Sequence, residues 1–206
     1  MTHLMMPLRR YLPLLLLGVL ACSARPVPEA ALDRQTRVAL PAPWPAPLHY
    51  RQQLLTVALP GSSHDGQSLM TVLTVQPQGL RLQGLTPLGV PLFRIDYDAA
   101  GIHSSTLPGL SSGVGAMPPA AQVLADVMLA YWPLASWQAR LPAGWSLTET
   151  PDSRLLRNPA GERVTEINYV VSPQGREPSR LTQHVFGYQL ILRTLASRPT
   201  ASGGEE

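Results

Sequence analysis

The sequence predicts an α+β fold: a curled antiparallel sheet, a half-open β-barrel, with a helix plugging its concave face. Three observations lead there. About eight apolar, β-favouring segments are separated by short turn-forming stretches, one amphipathic helix interrupts them after the fourth, and strands and helices do not alternate as a parallel sheet would require. If such a sheet curls without closing, its concave face and the helix enclose an apolar cleft.

The first four segments are YRQQLLTVAL (50–59), SLMTVLTVQ (68–76), GLRLQGL (79–85) and PLFRIDYD (91–98), joined by connections such as QPQG and DAAG. Leu80 and Leu82 alternate with Arg81 and Gln83, and Phe93, Ile95 and Tyr97 alternate with Arg94 and Asp96, so the third and fourth strands each have one wet face. The first two carry apolar residues on both faces, which implies fuller cover. GIHSSTLPGLSSGVGAM (101–117) reads as a flexible loop. In PPAAQVLADVMLAYWP, Pro119 suits a first helical turn, and Val123, Leu124, Val127, Met128 and Tyr131 share one side while Gln122 and Asp126 fall elsewhere. Pro133 ends that helix, and LASWQARL (134–141) allows a short helical turn. The strand pattern resumes with WSLTET, RLLRN, RVTEINYVV and TQHVFGYQLILRTL, split by PDS, PAGER and SPQGREP.

Ahead of the domain, Arg9 and Arg10 precede an apolar run from Leu12 to Ala21, broken only by Pro13 and Gly18. Spanning a membrane as a helix takes about 20 apolar residues and this run is roughly half that, so it reads as an export signal. The only cysteine, Cys22, stands directly behind it and has no disulfide partner within the chain. Val19-Leu20-Ala21-Cys22 resembles the lipobox of bacterial lipoproteins, in which the cysteine sulfur receives a diacylglycerol and the chain is cut before it. Cys22 is therefore the expected lipidation site. Ser23 follows where lipoproteins retained at the inner membrane often carry Asp, so the resemblance points to the outer membrane, on its periplasmic side. The domain boundaries follow: 1–21 signal peptide, 22–47 a Pro/Ala-rich tether containing PAPWPAP, 48–195 the half-barrel, and 196–206 a disordered tail.

Removing 21 of the 206 residues leaves 185, enough for one domain with an ordinary core. The charge of +3 includes both signal arginines, so the remaining chain has 14 Arg against 13 acids, +1, which excludes nucleic acid as the partner. An apolar content of 45% leaves more apolar surface than solubility requires.

The catalytic and metal patterns fail on context. GLSSG (109–113) satisfies the G-x-S-x-G pattern, yet Pro108 precedes it and VGAMPP separates it from the helix, so Ser111 lacks the strand-to-helix elbow a nucleophile needs. Ser, His and Asp are consecutive in GSSHDG (61–66) and cannot form a triad; a hairpin loop explains them better. His49, His64, His103 and His184 lack ligand spacing, so no metal or other cofactor is expected. Asp96 and Asp98 share a strand face, where a solvated strand end is the simpler reading than an acid/base pair. Trp44, Trp132, Trp137 and Trp145 read as core or as cleft lining. LTPLGVPL (85–92) is different: its Pro-Leu-Gly tip either aims a leucine outward where a turn is normally polar, or folds that leucine back onto the sheet, and the residues alone favour neither.

The run LRLQGLTPLGVPLFRID, a helix, WPLASWQARLPAG and a strand-rich end resemble the Lol outer-membrane lipoprotein receptor and its relatives, whose fold is a half-open antiparallel barrel plugged by helices. A closer likeness, through GLTPLG, LADVMLAYWP, RVTEINY and FGYQLILRTL, is to an uncharacterised family of lipoproteins often encoded beside aryl polyene and fatty-acid-type biosynthesis genes. The resemblance spans about Leu54 to Leu195. It implies that Leu88 protrudes to insert cargo into a membrane, and that a concave face binds acyl chains. Strand parity assigns Leu80, Leu82, Phe93, Ile95, Ile167, Tyr169, Phe186, Tyr188 and Leu190 to that face, closed by Leu124, Val127 and Met128. The implied function is a monomeric, non-enzymatic carrier or receptor for acyl chains or lipidated cargo, supplied by a periplasmic carrier protein; the alternative is an envelope scaffold lipoprotein without ligand.

Overall fold

The computed structural model describes residues 27–43, 49–58, 67–106, 118–172 and 175–199. Cys22, Ser111, His64, Asp65 and Trp44, and with them the signal, lipidation, elbow and GSSHDG readings, lie outside the described residues.

Two short strands, β1 (Glu29–Ala31) and β2 (Arg37–Ala39), come first. Five longer ones follow: β3 (His49–Ala58), β4 (Gln67–Gln76), β5 (Gly79–Leu85), β6 (Pro91–Asp98) and β7 (Gly101–Thr106). Then come two helices, α1 (Ala120–Tyr131) and α2 (Leu134–Gln138). Five more strands end the chain: β8 (Ser146–Glu149), β9 (Ser153–Arg157), β10 (Arg163–Ser172), β11 (Gly175–Gln183) and β12 (Tyr188–Pro199). Strands β3 to β12 form one antiparallel sheet in the order β7-β6-β5-β4-β3-β12-β11-β10-β9-β8. The first and last of these strands thus pair at the centre, and the two edges, β7 and β8, flank the helical segment in sequence. Among the described residues the sheet is not closed between them.

Its contacts fit a curled sheet. Helix α1 touches both β7 and β11, which are six strand spacings apart, roughly 29 Å on a flat sheet at about 4.8 Å per strand. The helix is 12 residues, about 18 Å, long, and a sheet bent around it brings both strands within its reach.

The alternation expected of β5 and β6 is present, with Leu80, Leu82, Ile95 and Tyr97 buried. A Cβ on Gly84 would stand 2.1 Å from the Phe93 ring, which lies across it on the paired strand. Only glycine leaves the ring that place.

Four expectations are corrected. Part of the tether is folded: β1 and β2 form a hairpin that packs on α1. Ala30 and Leu32 on one arm, Val38 and Leu40 on the other, are buried in the main core. The Asp33 carboxylate closes the turn by accepting from the Gln35 and Thr36 N–H groups at 2.8 and 2.6 Å. Second, residues 101–106 are a strand, paired to β6 from Phe93↔Thr106 to Asp98↔Gly101. Third, the final long segment is two strands joined by a turn at 184–187, and β11 begins within the stretch read as a connection. Fourth, β12 runs to Pro199, into the predicted tail.

Helix α1 differs from its expected amphipathic pattern because the sheet covers one side and the hairpin packs against it too. Gln122 and Asp126 are buried along with Leu124, Ala125, Met128 and Leu129. Its C-terminal carbonyls, which the helix itself cannot satisfy, receive donors from the sheet: Arg154 Nη1 to Leu129 and Trp132 at 2.6 and 2.8 Å, and Tyr169 Oη to Ala130 at 2.9 Å. Trp137 Nε1 donates to the Met128 carbonyl at 3.1 Å.

Candidate functional site

The inner face is set by register. Leu69, Leu55 and Leu192 stand side by side across β4, β3 and β12. Val57, Leu190, Leu181 and Ile167 form the next row, across β3, β12, β11 and β10. Burial along these rows is uneven. Leu181 and Ile167 are buried, whereas Leu69, Leu55, Val57, Leu190 and Leu192 are only half-buried although they face inward. The helix wall is uneven in the same way, with Leu124 and Met128 enclosed and Val123 and Val127 half-buried.

Of the residues assigned to the concave face, Leu80, Leu82, Ile95, Leu124, Met128, Ile167 and Tyr169 belong to one buried cluster. Phe93, Val127, Tyr188 and Leu190 lie half-buried at its margin. Phe186 is a correction: it sits in the turn before β12, 38% exposed, because the chain reverses at Gly187 with φ +74° and strand parity does not run through it. Leu55, Val57 and Leu69 were missed because β3 and β4 are apolar on both faces, which hides the period; Leu192 shares the parity of Tyr188 and Leu190 on β12 and was legible there.

Toward the Tyr131 end of α1 the inner face turns polar. Arg51 pairs with Glu177 at 2.6 Å and stacks over the Tyr131 ring at 4.7 Å. Gln53 Nε2 donates to Tyr131 Oη at 2.6 Å and to Thr194 Oγ1 at 3.2 Å, and Thr194 Oγ1 donates to Glu177 at 2.8 Å. Burial, above all, pushes the Tyr131 hydroxyl well above its ordinary range, so it stays protonated. Gln53 pairs with Thr194 two residues beyond the Leu55–Leu192 pair, so this polar group follows the first apolar row along the same strands.

A second polar group lies midway along α1. Tyr188 Oη donates to the Asp126 carboxyl in a short hydrogen bond, and Gln122 Nε2 reaches the other carboxyl oxygen at 3.5 Å. Burial raises Asp126 to about 7, against the lowering influence of both partners. Tyr188 is raised as well, first by burial and then by the neighbouring carboxylate. The Gln122 Oε1 atom is buried and has no hydrogen-bond partner among the described residues.

The sheet also splits. The β11–β12 ladder ends at Arg180↔Ile191, while β12 continues along β3 to Pro199. A groove of about 410 Å³ opens there, lined by Val170, Glu177, Pro178, Leu192, Thr194 and Leu195 among others. Pro178, lacking an N–H, suits a strand that leaves its neighbour. Leu192 is shared between the groove and the first apolar row.

The Pro-Leu-Gly tip is built as a tight turn. Thr86 accepts the Gly89 N–H through its carbonyl at 2.9 Å and the Val90 N–H through Oγ1 at 3.1 Å, and its own N–H donates to the Val90 carbonyl at 2.8 Å. Gly89 takes φ +84°. Leu88 is thereby held outward, 93% exposed, with Val90 also exposed beside it.

The carboxylates on β6 are structural. Partial burial pushes Asp96 up, and bonds to Arg94 and Arg81 outweigh it, holding the carboxyl below its ordinary range. Asp98 accepts the Ala100 N–H in the next turn at 2.7 Å. Among the described residues no three His, Cys, Asp or Glu side chains converge as metal ligands, and no helix is long and apolar enough to cross a membrane.

A comparison with curated proteins finds no match. A family model does match, over residues 50–196, so that it begins in β3, ends in β12 and leaves the β1–β2 hairpin outside. Spanning the sheet and both helices, that match shows that the chain belongs to the family described as protein of unknown function DUF3261.

Proposed function

We propose that this protein is a lipid-anchored carrier or receptor, facing the periplasm from the outer membrane, that binds an acyl chain or a lipidated cargo on its inner face and passes it to or from a bilayer. The observation that carries the reading is the uneven burial of that face: Leu69, Leu55, Val57, Leu190 and Leu192 point inward yet stay partly open to solvent. Half-exposed apolar rows inside a curled sheet gain about 25 cal/mol per Å² when a hydrocarbon covers them. The half-open barrel resembling the Lol receptor, and anchoring through Cys22, belong to this reading. No covalent step is part of it.

Leu88 supports the same reading, because a leucine fixed outward on a tight turn is suited to touching lipid or apolar cargo during exchange. With Leu88→Glu, transfer of a fluorescent fatty acid to the protein from donor vesicles that do not hold its anchor should slow by about tenfold or more, while equilibrium uptake and the thermal midpoint stay unchanged because the side chain is not packed. An unchanged exchange rate would remove Leu88 from the process.

The ligand-free scaffold has one observation in its favour: seven of the assigned lining side chains are packed together as a solid core with α1. Absence of both bound lipid and fatty-acid uptake would select it.

A further inference from the structure

The chain enters its fold at the C-terminal end of α1. The Pro28 carbonyl accepts the Leu40 N–H at 2.9 Å, the next residue's carbonyl, Pro41, accepts from Tyr97 Oη at 3.0 Å, and the Ala42 carbonyl accepts from Trp132 Nε1 at 2.8 Å. Val27, itself exposed, is therefore placed within a few residues of Trp132 and of the Tyr97 end of β6. Between Cys22 and Val27 lie five peptide units, which span at most about 18 Å. An anchor on Cys22 is short.

The same end of the molecule carries a second apolar feature. Val170 and Val171, the latter 85% exposed, follow Tyr169 directly, and Tyr169 Oη is bonded to Ala130 in the last turn of α1. They flank the β10–β11 tip, where Ser172 pairs with Gly175. Leu88 and Val90 are at the other end of β6: from Tyr97 back to Pro91 is about 20 Å at roughly 3.3 Å per residue, and the Leu88 turn lies beyond. Phe186 also stands at that far end, in the turn that precedes the Tyr188 contact with Asp126. Of the exposed large apolar side chains among the described residues, Val27, Val170 and Val171 stand at one end of the sheet and Leu88, Val90 and Phe186 at the other, with Ile191 and Leu195 along β12 between them.

We propose that the Val170–Val171 end rests on the bilayer that holds the Cys22 lipid, and that the Leu88 loop points away from that bilayer, toward a partner arriving from the aqueous side with apolar cargo. This rests on the lipid-anchor reading above. Seating and reach act together: the short anchor keeps the near end down, and the exposed valines give it an apolar footing. The far loop then serves loading, and the anchored bilayer is served from the near end.

The test uses full-length lipidated protein in phosphatidylethanolamine/phosphatidylglycerol vesicles containing acyl-brominated lipid. Since Cys22 is the chain's only cysteine and carries the lipid, Val171→Cys and Leu88→Cys each accept one fluorophore selectively. The Val171→Cys label should be quenched by brominated lipid at least about threefold more than the Leu88→Cys label, which should instead be open to aqueous iodide. Inserting about 15 Gly/Ser residues after Ser23 should abolish that difference. Equal quenching at both positions, stronger quenching at Leu88→Cys, or quenching at neither overturns the orientation. The mass of the N-terminal peptide separates the two failures: a diacylglyceryl Cys22 with the wrong quenching pattern rejects the orientation alone, whereas an unmodified Cys22 rejects the anchor and the orientation with it.

Discussion

Replacing Asp126 by asparagine is expected to remove most of the protein's loss of stability between about pH 4 and pH 7. Burial raises this carboxyl from its ordinary 3.8 to about 7 in the folded chain. The folded state therefore keeps a proton that the unfolded chain has already released, and stability falls as pH rises through that window. Below about pH 4 both states are protonated and the group has no effect; above about pH 7 both are ionised and the full penalty stands. At about 1.4 kcal/mol per pH unit the interval sets an upper bound of roughly 4 kcal/mol. The asparagine amide stays neutral throughout and still accepts from Tyr188 Oη. Urea unfolding of both proteins from pH 4 to 8.5 should show similar stability at the acid end and a growing advantage for Asp126→Asn toward the alkaline end. Parallel curves would show that the buried carboxyl does not titrate in this window.

Arg154→Ala is expected to destabilise the fold by about 2–5 kcal/mol, because it strips the donor from two carbonyls at the end of α1, at about 1–3 kcal/mol for each buried group left unpaired. Its guanidinium, 5% exposed, is bonded to the Leu129 and Trp132 carbonyls and to Glu149, so one side chain ties α1 to β9 and β8. It also sets a positive charge at the negative end of the helix dipole. Without it the end of α1 loses its cap and Glu149 loses a partner. Arg154→Lys should recover less than half of the loss, because a single ammonium lacks the planar fork that reaches all three acceptors. Urea midpoints decide this. A loss below about 1 kcal/mol for the alanine variant would mean that water replaces the guanidinium at the helix end.

How much of this was legible in the sequence depends on residue pattern. Strands β5 and β6 alternate cleanly, with Leu80, Leu82, Ile95 and Tyr97 inward and Arg81 and Arg94 outward, and the structure follows them. The α1 segment and the turn at 86–90 were equally readable, since proline brackets the helix and Pro87 and Gly89 shape the turn, but whether Leu88 points outward or folds back was decided only by the structure. The hairpin at 29–39 was hidden because its arms are three residues each, too short for periodicity, and because proline and alanine resemble a linker until Ala30, Leu32, Val38 and Leu40 find a core. Strand β11 was hidden by its own chemistry: GREPSRLTQ carries charge and a proline, and its inward Glu177 and Gln183 find side-chain partners in Arg51, Thr194 and Thr165 on other strands. The inner rows needed register, which a strand such as LLTVA does not declare.

Native mass spectrometry of the full-length protein, extracted from envelopes in mild detergent, tests the central claim most directly. The account predicts one acyl-bearing molecule held non-covalently beyond the covalent anchor, and its loss in Leu190→Trp, where the larger side chain fills the inner row while the protein stays folded. Repeated spectra containing only the anchored protein, from preparations that also take up no added fatty acid, would contradict it.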